Sequence, residues 1–286
     1  MIANLPYIKI NDRQYGGLKP LIIAGPCAVE PDQDLLELGY AVKQSGAHFF
    51  RGGAYKPRTS ASAFQGLGEK GLQRLSAVKK KYDLPIVSEI TDADQLTLFK
   101  EYNIDVLQIG TRNMQNYELL KKIAQNISPD NVVMLKRGFS ATKEEVAGAL
   151  GYLTGYGIAE DRIILCGRGI KSFSNYARSS LEIPFFATER LIYHPNLFLI
   201  GDPSHSAGGI PSTAYNGEEY DKKQFAFIRL HALGCIGAGA QGVMIDVIDD
   251  SVDRKSILVD GQQAIRVKYL RQLIEDIHSV YTIVNR

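Results

Sequence analysis

Apolar residues in this chain gather into short runs instead of alternating with polar ones. Eight runs recur: PLIIAG (20–25), HFFRG (48–52), PIVSE (85–89), VLQIG (106–110), VVMLK (132–136), IILC (163–166), LFLIG (197–201) and GVMIDV (242–247). An unbroken run of this kind suits a strand covered on both faces. Between the runs lie polar or glycine-rich turns, then stretches with helical character over 31–45, 68–82, 91–102, 113–126, 142–156, 221–236 and 262–284. The 91–102 stretch opens with Thr91, Asp92 and Asp94, residue types that cap a helix N-terminus. Eight strand–helix units predict an α/β fold of the (β/α)8 TIM-barrel type. An open doubly wound sheet would carry GxGxxG after its first strand, and AGPCAVE does not. Residues 5–17, LPYIKINDRQYGG, predict a short β-hairpin that closes the bottom of the barrel. The expected organisation is a hairpin extension over 1–17 and a single catalytic barrel over 18–286.

Composition narrows the partners. A chain of 286 residues is long enough for one such barrel. Its 33 basic and 31 acidic residues leave a net charge of +2, so no global field gathers nucleic acid. Any preference for anions must come from local placement of charge. Cys27, Cys166 and Cys235 lack CxxC spacing and suit a reducing, cytoplasmic setting better than a disulfide framework. The N-terminus has no signal-peptide core, and no run approaches the ~20 apolar residues of a membrane span. Neither nucleic acid nor membrane is an expected partner.

In a (β/α)8 barrel the chemistry sits at the C-terminal ends of the strands and in the loops that follow them. Those positions hold two constellations. The first is a set of cations: Arg51, Lys56, Arg58, Arg112, Lys136 and Arg168. Taken singly each is an ordinary surface charge; gathered at one mouth they would repel one another unless anions bind there. Arginine forks onto carboxylate or phosphate, and lysine serves as a mobile point charge. A phosphorylated substrate is the expectation. The second constellation is Cys27, His205, Asp246 and Asp260, a thiol, an imidazole and carboxylates that suit Mn, Fe, Co or Zn. These residues come from different strands, so spacing does not separate a metal site from a buried structural cysteine. Cys166, Cys235, His48, His231 and His278 read as packing or exposed residues.

IAGPCAVE, RGGAYKPRTSASAFQGLGEKGL, QIGTRNMQN, LKRGF, ILCGRGI and DPSHSAGG, in that order, resemble 3-deoxy-D-arabino-heptulosonate 7-phosphate (DAHP) synthases of the short type Iβ class. That class is related to the 3-deoxy-manno-octulosonate 8-phosphate synthases. The similarity runs from about residue 18 to the C-terminus, with no appended regulatory domain. It implies condensation of phosphoenolpyruvate with erythrose 4-phosphate and release of inorganic phosphate. By matching motif, Arg51, Arg112, Lys136 and Arg168 would hold phosphoenolpyruvate. Lys56 would donate a proton to the aldehyde oxygen. Pro57, Arg58 and Thr59 would grip the sugar phosphate, and Glu89 would orient the water that adds to C2. Cys27, His205, Asp246 and Asp260 would hold a divalent metal that polarises the aldehyde, which adds His205 to Lys56 and Glu89 as expected catalytic residues. The resemblance also implies a homotetramer or homodimer.

Three features depart from the family pattern. Gly167 stands where the family carries a glutamate, Asp246 replaces a longer glutamate with Ile248 where histidine is expected, and the 209–224 stretch is longer and lacks paired arginines. Asp249 is an alternative ligand to Asp246. The altered stretch leaves open a paralogue that uses another phosphosugar, and the changed residues leave open a barrel that binds without catalysis. A Schiff-base aldolase acting through Lys136 is a third reading, which the Cys27/His205 pair disfavours.

Overall fold

Eight parallel strands close on themselves, each followed by a connection that returns over the outside. The computed structural model describes residues 5–171, 182–208, 210 and 214–285. An antiparallel hairpin comes first, from β1 (Tyr7–Ile10) and β2 (Arg13–Gly16). The barrel strands are β3 (Leu21–Gly25), β4 (Phe49–Arg51), β5 (Ile86–Ile90), β6 (Val106–Ile109), β7 (Val132–Lys136), β8 (Ile163–Gly167), β9 (Phe198–Gly201) and β10 (Gly242–Ile248). Closure comes from β10, which pairs with both β3 and β9. A two-residue strand, β11 (Ile265–Arg266), adds to β10. All eight strands fall on the runs picked out above.

The helices are α1 (Leu35–Gln44), α2 (Glu69–Tyr82), α3 (Leu96–Glu101), α4 (Tyr117–Asn126), α5 (Lys143–Gly155), α6 (Glu182–Tyr193), α7 (Pro203–Ala207), α8 (Glu218–Gly237) and α9 (Leu270–Val284). Capping side chains set several of their starts. Asp34 accepts from the Leu36 and Glu37 N–H groups, so α1 begins later than the proline at 31. Thr142 and Glu145 form a reciprocal capping box at α5. The expected 262–284 helix starts only at Leu270, because 265–266 are spent on β11. Helix α6 was not expected. Its apolar residues lie on both faces, with Ile183, Phe186 and Ala187 buried but Phe185, Leu191, Ile192 and Tyr193 exposed, so no single stripe marks it.

Strand residues alternate between two cores. Ile22, Ala24, Phe50, Leu107, Leu135, Leu165, Leu199 and Ile245 face outward against the helices. Leu21, Ile23, Phe49, Val87, Val106, Met134, Ile164, Phe198, Ile200 and Met244 fill the barrel interior. Ile8 and Ile10 of the hairpin join that interior core, so the hairpin is a plug and not a separate layer. Gly25 is required at the top of β3: its φ is +156°, and a Cβ there would fall on the Arg51 carbonyl. This close approach brings Arg51 into the barrel mouth.

Candidate active site

The inward row that is apolar at the bottom of the barrel turns polar at the top. Continuing each strand from β4 to β10 by two residues from its last interior apolar position reaches Arg51, Glu89, Gln108, Lys136, Arg168, Asp202 and Asp246, all buried. Gln108 and Asp202 were not among the expected site residues. The period-2 register of VLQIG and LFLIGD was the signal that could have found them. Arg112, expected at the end of the fourth strand, lies one turn beyond it and is exposed.

Carboxylates interleave with the cations, so their mutual repulsion is partly answered within the protein. Arg51 Nη1 donates to Asp246 Oδ1. Lys136 Nζ donates to Asp202 Oδ2 at 2.5 Å. Lys56 Nζ stands 3.6 Å from Glu89 Oε2. Among the described residues the six expected cations face four carboxylates (Glu89, Asp202, Asp246 and Asp260), and the excess is positive. Burial works against the charge on Lys56, but Cys27 and Glu89 outweigh it and raise the ammonium above its ordinary value. Burial likewise opposes ionisation of Asp202, yet His205 and Lys136 hold it well below the usual carboxylate range.

On one side of the mouth, Phe139 from the loop after β7 braces three cations. The Arg168 and Arg112 guanidinium carbons lie 4.6 and 5.6 Å from its ring centroid, and Lys171 Nζ lies at 5.5 Å. Each ring–cation contact is worth about 0.5–2 kcal/mol, more as water is excluded. Phe139 belongs to the quoted LKRGF motif, yet no role for it was read from the sequence. Phe139, Arg112 and Arg168 line a cavity of about 180 Å³ with Lys56, Pro57, Arg58, Thr59, Glu89, Gln108, Lys136, His205, Asp260 and Gln263. Arg58 Nη1 is buried with no hydrogen-bond partner, and Thr59 is exposed at the rim. A larger cleft of about 720 Å³ lies outside the barrel between α3 and α4, away from the strand ends.

On the opposite side, three potential ligand atoms converge. Cys27 Sγ donates to Asp260 Oδ2 at 3.1 Å and lies 3.9 Å from His205 Nε2. His205 Nε2 is 3.7 Å from Asp260 Oδ2, and all three donors lie within 4.8 Å of one another. Asp202 engages His205 Nδ1 at 3.0 Å, which turns Nε2 toward Cys27 and Asp260. Burial lowers the His205 basicity, but the charges of Asp202 and Asp246 and the Asp202 hydrogen bond together outweigh it and raise its pKa to about 10. A thiol, an oriented imidazole and a carboxylate suit a borderline divalent ion. Asp246 lies outside the set of three: Arg51 takes its Oδ1, and its Oδ2 sits 3.7 Å from His205 Nδ1 with no hydrogen-bond partner. Asp249 is turned away, accepting from the Ser251 N–H and hydroxyl.

Asp260 sits at φ +53° in a loop held from two directions. Glu30 accepts from the Leu258 and Val259 N–H groups. Arg254 donates to the Gly261 and Ala264 carbonyls and, through Nε and Nη2, to Asp221 Oδ1. Asp221 Oδ2 accepts from Arg266 at 2.9 Å. This buried clamp ties α8 to the Asp260 loop. The altered 209–224 stretch is therefore not all loop, since α8 already begins at Glu218; residues 209 and 211–213 lie outside the described residues. Near Gly167 a carboxyl is still present. Glu182 of α6 accepts from the Gly169 N–H at 2.5 Å, and its Oε1 would stand 3.2 Å from a Cβ at 167. Burial raises the Glu182 carboxyl above its usual range.

With this geometry in hand, comparisons with known proteins converge. The DAHP synthetase I family matches residues 8–284, taking in the hairpin as well as the barrel. A phospho-2-dehydro-3-deoxyheptonate aldolase of Thermotoga maritima is 36% identical over 94% of this chain and 72% of its own length. A 2-dehydro-3-deoxyphosphooctonate aldolase of Koribacter versatilis is 28% identical over 93% of this chain and 92% of its own. The crystal structure of the Thermotoga maritima phospho-2-dehydro-3-deoxyheptonate aldolase superposes with a TM-score of 0.82 at 32% identity, covering 99% of this chain and 75% of that one.

Proposed function

The chain belongs to the DAHP synthetase I family, and from that premise we propose how its barrel mouth condenses phosphoenolpyruvate with erythrose 4-phosphate. The products are 3-deoxy-D-arabino-heptulosonate 7-phosphate and inorganic phosphate, the first step of the shikimate pathway. The observation that carries the assignment of roles is one cavity bounded by braced cations on one side and on the other by His205 and Asp260, which converge with Cys27 just behind them.

Arg51, Arg112, Lys136 and Arg168 hold the carboxylate and phosphate of phosphoenolpyruvate, aiming its C3 at the aldehyde. Pro57, Arg58 and Thr59 grip the phosphate of the sugar, and the unpartnered Arg58 Nη1 suits an incoming anion. C3 bonds to the aldehyde carbon while Lys56, firmly protonated between Cys27 and Glu89, gives a proton to the oxygen that becomes the new hydroxyl. Positive charge grows at C2 and is stabilised by the neighbouring phosphate and Glu89. Glu89 orients the water that adds there and takes its proton, which restores Lys56, 3.6 Å away; C2 then becomes the ketone as its bond to the phosphate oxygen breaks and the hydroxyl proton leaves with the phosphate.

Cys27, His205 and Asp260 would hold a divalent ion, Mn, Fe, Co or Zn, with Asp246 as fourth ligand through its unpartnered Oδ2. Such an ion supplies Lewis-acid polarisation of the aldehyde. Assembly as a homotetramer or homodimer belongs to the same reading, supported by the apolar side chains exposed on α6. So does a cytoplasmic location, which keeps the Cys27 thiol reduced. No helix among the described residues is long and apolar enough to cross a membrane.

Phosphate release from phosphoenolpyruvate, followed against a panel of phosphorylated aldehydes with and without chelator, tests these assignments. Turnover with erythrose 4-phosphate at roughly 1 per second or faster is expected, with loss on chelation. A rate indifferent to chelator would remove the metal from the scheme. Faster turnover with a five-carbon aldehyde would move the acceptor to the octulosonate class.

A further inference from the structure

Away from the mouth, α5 and α6 enclose a second cavity of about 240 Å³. Its walls are apolar, chiefly Leu150, Leu165, Phe185, Phe186 and Leu197, and Arg190 reaches it from α6. Arg190 is only 5% exposed, and its Nε is buried with no hydrogen-bond partner. Among the described residues no carboxylate forms an ion pair with it. Of the two on the lining, Glu144 lies beside Lys143, and Glu189 makes no ion pair either. His194, at the same cavity, is already engaged by Glu160 at 2.6 Å.

A guanidinium buried without a counter-charge is costly unless something else supplies the anion. Lys143 also lines the cavity but is exposed and lies 3.9 Å from Glu144, so among the described residues Arg190 is the one buried cation above the apolar walls. That suits one negative charge attached to an apolar body; a dianion would be left undercompensated. The volume falls just below the about 300–1,000 Å³ of sites for drug-sized ligands, so the occupant is small. We propose that this cavity binds a small apolar monocarboxylate, with its carboxylate on Arg190 and its tail against Phe185, Phe186 and Leu165.

The chain contains no tryptophan, so Phe185→Trp places a single fluorophore on the cavity wall. Titration of that protein with hexanoate should give a saturable fluorescence change, and hexanoate should raise the melting temperature of the wild type. Hexanamide should bind at least about tenfold more weakly, since it keeps the tail and lacks the charge. Arg190→Met should weaken hexanoate binding by a similar factor, with partial recovery in Arg190→Lys. Should Arg190→Met fold poorly, Ala147→Trp on the exposed rim fills the cavity with Arg190 intact, and it should abolish hexanoate binding. Equal affinity for hexanamide, undiminished binding in Arg190→Met or Ala147→Trp, or no saturable binding to wild type would each overturn the proposal. So would displacement of hexanoate by phosphoenolpyruvate, which would put it at the barrel mouth.

Discussion

The bottom and the mouth of this barrel are made from the same eight strands, two or three residues apart, and they obey different physics. At the bottom Leu21, Phe49, Val132, Ile164 and Phe198 interdigitate with Ile8 and Ile10 of the hairpin, and the free energy there comes from area removed from water. At the mouth Arg51, Lys136, Asp202 and Asp246 occupy the same inward row, equally buried, and their burial is costly unless each charge finds a partner. Stability is thus concentrated at one end, and the other end is free to hold charges that packing alone would not favour. Perturbing the mouth should change chemistry with modest effect on folding, and perturbing the bottom should do the reverse.

The largest expected effect is at the mouth. Lys56→Ala should lower kcat by ~10²–10⁴-fold, as removal of a positioned proton donor does, with thermal stability nearly unchanged. A loss below tenfold in single-turnover kinetics would remove Lys56 from the proton-donor role. The counterpart at the bottom is Phe198→Ala, fully buried against Gly16 of the hairpin. It should cost about 3–5 kcal/mol in denaturant unfolding while kcat per folded molecule stays within about twofold. A large drop in kcat at full folding would show that the two ends are coupled.

Asp221→Asn sharpens the comparison, because Asp221 sits outside the mouth yet anchors Arg254, which holds the Gly261 and Ala264 carbonyls of the Asp260 loop. Metal affinity should fall ~10–100-fold, read by Co(II) absorption at the Cys27 thiolate, more than the affinity for phosphoenolpyruvate. An equal loss of both would mean that the clamp only stabilises the fold.

The smallest effect is a pH dependence at the bottom. His48 Nδ1 accepts the Ile22 N–H at 3.0 Å, and burial lowers its pKa from 6.5 to about 4. The folded state therefore holds neutral His48, while the unfolded chain takes up a proton below pH about 6.5. Stability present above that pH is lost as pH falls toward 4, by about 2–3 kcal/mol at most. His48→Asn, which keeps an acceptor for Ile22, should flatten the unfolding profile across that window. An unchanged slope would place the acid sensitivity elsewhere.

The eight strands were legible because each is buried on both faces, which leaves an unbroken apolar run that few other elements produce. Helix α6 was not, because it is apolar on both faces and one of them remains exposed. The cations were legible as residues that end strands, whereas Asp202, inside the DPSHSAGG motif, carried no expected role. Its position between Lys136 and His205, which compensates both, depends on β7 and β9 lying two strands apart around a closed ring. Gly167 read as a lost carboxylate, yet Glu182, fifteen positions along the chain, places one beside it.

The sequence by itself determined the barrel, its strand order and the residue types at the mouth, since these follow from local periodicity and from what each strand ends in. The tertiary structure alone decided which charges neutralise one another, that Cys27, His205 and Asp260 converge while Asp246 turns to Arg51, and that Arg190 is buried facing an apolar cavity. The reason is range. Periodicity is written in neighbours a few residues apart, but a buried charge is stabilised by partners tens to hundreds of residues away, and only closure of the sheet fixes which of them come within reach.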